Sequence, residues 1–198
     1  MTTENAPGFF GKVPAVGDFV SRRLPRTFLN PWDQWLQSAI ARSREQLAEA
    51  WLDNYLSSPI WRFALSSRVA GPLPCTGILM PSVDKAGRYF PFTLAAFLPA
   101  RINLFELAGS SQAWYEGAEA VALSVLEETP PDMESLDEQI LELGMIDTNA
   151  ANDNEGGSTN TPEIEVKHWH FPMSSVSGMV ELLPELVKRL AELRFGAY

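Results

Sequence analysis

The chain has 198 residues, 45% of them hydrophobic, with six Trp and eleven Phe, a composition that builds one packed core and excludes a disordered chain. A formal net charge of −10 disfavours nucleic acid and anionic lipid as partners, and the lone cysteine, Cys75, excludes an intramolecular disulfide. The first residues form neither a basic nor an apolar leader, and no stretch approaches about 18 consecutive apolar residues, so a cytoplasmic protein is expected.

Residues 9–13 read as a first strand and 14–17 as a turn. Asn30-Pro31-Trp32-Asp33 has the pattern of a helix start: Asn caps, Pro fits the first helical position and Asp33 suits the positive end. Trp32, Trp35, Leu36, Ala39, Ile40, Ser43 and Leu47 follow at three- and four-residue spacing, which predicts an amphipathic helix with two indoles turned inward. A short helix over 49–56 ends before Pro59, and 60–65 alternates as a strand. Gly71-Pro72-Leu73-Pro74 is a loop. Residues 76–83 and 88–98 pair as antiparallel strands across Asp84-Lys85-Ala86-Gly87, where Gly87 takes positive φ, and Pro91 implies an edge or a bulge.

The second half is more helical. Ser110 or Ser111 is placed to cap a helix whose buried face is Trp114, Ala118, Val121, Ala122 and Val125. Thr129-Pro130-Pro131 interrupts it, and residues 132–143 form another helix closed by Gly144. Residues 148–162 lack any large apolar side chain and read as a mobile loop. A strand over 163–171 and a helix over 179–194, kinked or divided at Pro184, complete the chain. This order describes one α/β domain, residues 1–198, with helices on both faces of a mixed, largely antiparallel sheet rather than a doubly wound nucleotide-binding fold.

Charge is polarised along the chain. Residues 1–101 hold 11 Lys/Arg and 7 Asp/Glu, a net of +4, whereas residues 102–198 hold 4 and 18, a net of −14. From 102 to 166 there are 15 acidic residues and no basic one, which makes either a solvated acidic face or a polarised binding surface.

Catalytic patterns fail one by one. A phosphate loop ending at Gly11-Lys12 would need Gly where Ala6 stands and a hydroxyl where Val13 stands. Ser82-Val83-Asp84-Lys85 matches Ser-x-x-Lys, but a hairpin end splays side chains that a helical turn would bring together. His168 and His170 share one strand face and could begin a metal site, yet they are the only two histidines and nothing else shows ligand spacing. Cys75 has no basic neighbour in sequence, so an inert thiol is expected. Asp18, Asp33, Asp84, Arg22, Arg62 and Arg88 instead stand singly among Phe19, Trp32, Trp61, Tyr89 and Phe90. Such charges either pair internally and pin loops to the sheet, or form an aromatic and Arg-rich contact surface.

Across its first half, with Trp51, Pro59 and the stretch from Gly77 to Pro81 among the shared positions, the chain resembles the type VI secretion-associated TagF family. The likeness rests on Gly8-Phe9-Phe10-Gly11-Lys12, Gly17-Asp18-Phe19-Val20, Ser21-Arg22-Arg23-Leu24-Pro25, Pro31-Trp32-Asp33 with Trp35-Leu36, Trp61-Arg62-Phe63, Pro81-Ser82-Val83-Asp84 and Gly87-Arg88-Tyr89-Phe90-Pro91. It covers residues 8–99 in consistent order, and the remainder matches by length and helical character. The resemblance implies a three-layer α/β/α sandwich and a stand-alone cytoplasmic, non-enzymatic negative regulator of type VI secretion without cofactor. Its implied partner is the forkhead-associated scaffold protein of that system. A partner surface is expected at the 17–23 loop and the 84–88 hairpin end, with Asp18, Phe19, Arg22, Arg23, Asp84 and Arg88 as its candidates. The rival readings are an assembly chaperone, or a small hydrolase using Ser82 with Lys85 or a metal at His168 and His170.

Overall fold

The computed structural model describes residues 6–127 and 132–152. Five strands, β1 (Gly8–Gly11), β2 (Val20–Arg22), β3 (Trp61–Leu65), β4 (Cys75–Met80) and β5 (Phe92–Phe97), form one sheet in the order β2-β1-β5-β4-β3. Every pairing among the described residues is antiparallel. The helices are α1 (Arg26–Leu47), α2 (Trp51–Leu56), α3 (Leu104–Ser110), α4 (Gln112–Ser124), α5 (Met133–Leu143) and α6 (Asn149–Asn152), with a 3-10 turn at Ala48–Ala50 between the first two.

Strand alternation divides the core into two apolar clusters. Phe9, Ile78, Met80, Phe92, Leu94 and Ala96 meet Leu107, Trp114, Tyr115, Ala118, Ala122, Leu136 and Ile140 of α3, α4 and α5. Phe10, Leu65, Cys75 and Ala95 lie with Phe28, Trp32 and Leu36 of α1 in the other cluster. The central strand β5 is buried on both faces, as a sheet between two helical layers requires. Where Gly77 pairs with Ala95, an added Cβ would lie 2.1 Å from the Leu94 carbonyl oxygen, so the close backbone approach needs glycine.

The first long helix begins earlier than the capping pattern predicts. It starts at Arg26 with Pro25 before it and no side-chain cap, and Pro31 lies inside it. The added turn places Phe28 one turn before Trp32; their rings stack at 5.4 Å, and Phe28 meets the edge of Phe97 at 5.5 Å. Burying that ring contributes about 1.5–3 kcal/mol, comparable with the ~3 kcal/mol that an interior proline costs. Trp32 is buried as expected, and its indole N–H donates to Thr93 Oγ1 at 2.9 Å. Trp35 is half-buried.

The expected hairpin is present in shorter form. β4 and β5 pair from Cys75↔Phe97 to Met80↔Phe92, and a single Val83↔Tyr89 bridge continues toward the turn, where Gly87 has φ 77°. Pro91 marks neither an edge strand nor a ladder position, because it lies just before β5 at the centre of the sheet. Gly11 takes φ 138° beside it, and a Cβ there would meet the Pro91 carbonyl oxygen at 2.1 Å. Helix α3 goes unpredicted: Asn103 caps it by accepting from the Phe105 and Glu106 amides, and Ser111 makes no side-chain cap for α4. Asp132 caps α5 by accepting from Ser135 N, and Gly144 closes it at φ 66°. The strand expected over 163–171 and the helix over 179–194 lie outside the described residues. Of the loop expected over 148–162, residues 149–152 instead form α6, with Ala151 buried in the core, and the remainder lies outside the described residues.

Candidate recognition surface

β1 ends at Gly11, and the chain then crosses to β2 through residues 12–19. Lys12 is only 5% exposed, and its ammonium donates to Asp84 Oδ2 at 2.6 Å. Asp84 organises the hairpin end in the manner of an Asx turn. Its Oδ1 accepts from the amides of Ala86 and Arg88, both at 2.9 Å, and Oδ2 also accepts from Arg88 Nε at 2.7 Å. Arg88 Nη2 donates to the Gly17 carbonyl at 2.6 Å, and the Lys85 amide donates to the Val16 carbonyl at 3.2 Å. One buried carboxylate therefore ties two loops 72 residues apart in sequence. Burial alone would raise the Asp84 carboxyl, but the hydrogen bonds from Lys12, Arg88 and Ala86 override it and hold the group well below the usual carboxylate range.

Phe19 lies above this carboxylate hub. Its ring stacks on Phe10 at 5.7 Å and 9°, and meets Phe90 edge-on at 4.8 Å and 80°. Lys12 Nζ is 4.9 Å from its centre. Phe19 nevertheless remains 45% exposed. Asp18 is exposed and accepts from the Phe19 amide through Oδ1.

From the other side, α2 holds the base of the same hairpin. Tyr55 Oη accepts from Ser82 N at 2.9 Å and donates to Ser82 O at 2.8 Å, while burial pushes the phenol up to about 12. Trp51 stacks on Tyr55 at 4.9 Å, and Tyr89 meets both rings edge-on.

The structure divides the six expected surface residues. Asp18, Phe19, Asp84 and Arg88 converge on this corner. Arg22 and Arg23 turn toward α5 instead: Arg22 Nη1 donates to Asp137 Oδ2 at 2.8 Å, Arg22 Nη2 is 3.5 Å from Glu134, and Arg23 pairs with Asp137. Burial raises the Asp137 carboxyl, but its bonds to Arg22 and Arg23 outweigh that and lower it; the same bond raises Arg22. Of the single charges, internal pairing thus accounts for Arg22, for Asp84 with Arg88, and for Arg62, which bonds Glu119 and Gln112 on α4, and Arg23 joins Arg22 in the same tie.

The Ser-Lys pattern does not assemble. Ser82 is buried and Lys85 exposed, with no hydrogen bond joining them among the described residues. Cys75 is buried, which pushes its thiol up to about 12. His168 and His170 lie outside the described residues, among which no group of three or more His, Cys, Asp or Glu could hold a metal ion. Sequence reasoning missed two organising residues. Lys12 was visible within a failed phosphate-loop pattern and a family motif, neither of which pointed to Asp84, and Tyr55 carried no signal, since nothing local relates it to Ser82.

An antiparallel sheet between helical layers defines a mixed α/β protein rather than a doubly wound nucleotide-binding fold. Residues 8–143 match the family described as TagF N-terminal domain, Type VI secretion system-associated, and the chain belongs to that family. The match runs well past residue 99, where the resemblance in sequence motifs stops. Among solved structures, the fold is similar to the crystal structure of PA0076 from Pseudomonas aeruginosa PAO1, with a TM-score of 0.68 and 45% identity. That likeness covers 71% of this chain and 63% of that one, so the chain spans less than two thirds of its relative's length. No curated protein matches. Among the described residues no helix is long and apolar enough to cross a membrane.

Proposed function

We propose that this type VI secretion-associated protein is a cytoplasmic, non-enzymatic negative regulator of the secretion machine, acting after translation by binding the system's forkhead-associated scaffold protein. The reading draws on membership of the TagF family. The observation that carries it is the corner where the 12–19 loop and the 84–88 hairpin end are locked together beneath a half-exposed Phe19. An aromatic ring held at low entropic cost above a fixed charge is the form of a binding hot spot, and no turnover chemistry is required of it. Sequestration acts by mass action, so the chain restrains assembly while its concentration exceeds its dissociation constant for the scaffold.

Deletion of the gene in the native bacterium is expected to raise effector release, and affinity purification of the tagged chain to recover the scaffold protein. A fall in effector release would mark an assembly chaperone instead. Recovery of no secretion component would end the sequestration reading.

A further inference from the structure

We propose that the corner built from Phe19, Lys85 and Arg88 receives an acidic segment of its protein partner, one that presents a carboxylate beside an aromatic or aliphatic side chain. The inference rests on the sequestration reading above and adds the chemistry of what is bound.

Charge is the first argument. Two cations, Lys12 and Arg88, share the single Asp84 carboxylate, so the hub retains an uncompensated positive charge. Exposed Lys85 adds another and exposed Asp18 subtracts one, which leaves the corner net positive. The rest of the molecule directs an acidic partner to the same place. No Lys or Arg occurs from 102 to 166, and α3, α4 and α5 lie on the opposite face of the sheet from α1, so that helical layer repels an acidic segment.

Preorganisation is the second. Arg88 has a side chain 60% exposed, yet Nε is fixed by Asp84 and Nη2 by the Gly17 carbonyl. Nη1 makes no hydrogen bond among the described residues, which leaves planar N–H donors for a carboxylate without a rotamer search. Phe19 is likewise fixed by Phe10 and Phe90 while 45% exposed, a flat apolar surface two residues along the chain from the Gly17 carbonyl that holds Arg88.

Access is the third. Gly17 and Gly87 stand at the two loop tips, and a Cβ built on either meets nothing within 4 Å. Side chains therefore do not fence the donors from an approaching backbone. Nucleic acid and anionic membrane carry the same charge sign as a carboxylate, but the net charge of −10 opposes so extended a polyanion, whereas a short acidic segment meets only the corner.

The test probes a peptide array tiling the scaffold protein with the full chain, and measures affinity for the intact scaffold by titration. Signal is expected at peptides that join Asp or Glu to Phe, Tyr, Trp, Leu or Ile. Lys85→Glu and Phe19→Ser, both at exposed positions and checked for an unchanged melting temperature, should each weaken scaffold binding at least tenfold, and raising salt should weaken the wild type. Binding to basic or uncharged peptides, or affinities of both variants within twofold of the wild type, would overturn the acidic-segment proposal while leaving sequestration in place. Absence of any scaffold binding by the wild-type chain would remove the sequestration reading itself, and this inference with it.

Discussion

Asp84 shows how much one side chain can organise. It closes its own hairpin through two amides, which is a local event, and accepts the Lys12 ammonium, which is not. Its depressed pKa has a definite sign for stability. A carboxyl whose folded pKa lies below its unfolded value stabilises the fold above the unfolded pKa, and that contribution is lost as pH falls through the folded one. Asp137 and Asp132 shift in the same direction, so the three act together. The melting temperature is therefore expected to hold near neutral pH and to fall as pH drops below about 4, the ordinary aspartate range. Asp84→Asn should flatten this acid limb and lower the neutral-pH melting temperature, because Lys12 then stays buried without its counter-ion. Thermal melts from pH 7 to pH 2 check both; an acid limb as steep in the variant would show that the carboxylate is not responsible.

The elements show where periodicity and tertiary packing agree. Along α1 the buried stripe Phe28, Trp32, Leu36 is legible as soon as the register is known, but its start is not. Asn30 and Pro31 form a plausible cap, and only contact with Phe97, about seventy residues on, favours the earlier turn. Trp32→Phe is expected to cost about 1–3 kcal/mol in denaturant unfolding, since the fully buried Thr93 hydroxyl loses its indole donor. In β4, Gly77→Ala places a methyl group against the Leu94 carbonyl and Ala95 Cα, backbone that cannot rotate away. Its cost is expected at or beyond the upper end of about 1–3 kcal/mol, with loss of soluble protein on expression as the readout.

At the scale of the whole molecule, Arg22 and Arg23 matter more as ties than as a surface. They leave the edge strand β2 and its following loop to meet Asp137 on α5, joining the amino-terminal half to the acidic helical layer. Asp137→Ala leaves Arg22 with Glu134 alone and Arg23 with only the Pro7 carbonyl, and is expected to destabilise by about 1 kcal/mol while leaving the scaffold affinity unchanged, as measured by denaturation and titration on the same sample. A parallel loss of affinity would return Arg22 and Arg23 to the binding surface.

By itself, the sequence determined what depends on neighbours along the chain. The strand alternation, the 84–87 turn with Gly87 at positive φ, the Asp132 and Gly144 ends of α5 and each family motif rest on residues a few positions apart. Only the tertiary structure decided which charges meet. Lys12 with Asp84, Arg88 with Gly17, and Arg22 with Asp137 are 72, 71 and 115 residues apart, and no periodicity reports on such pairs. The physical reason is that turns and helical faces follow from short-range sterics and hydrophobic spacing, whereas an ion pair forms wherever folding happens to bring opposite charges into contact. Hence six candidate surface residues, equivalent in sequence, became three exposed at one corner, one buried beneath them as Asp84, and two in a tie to α5.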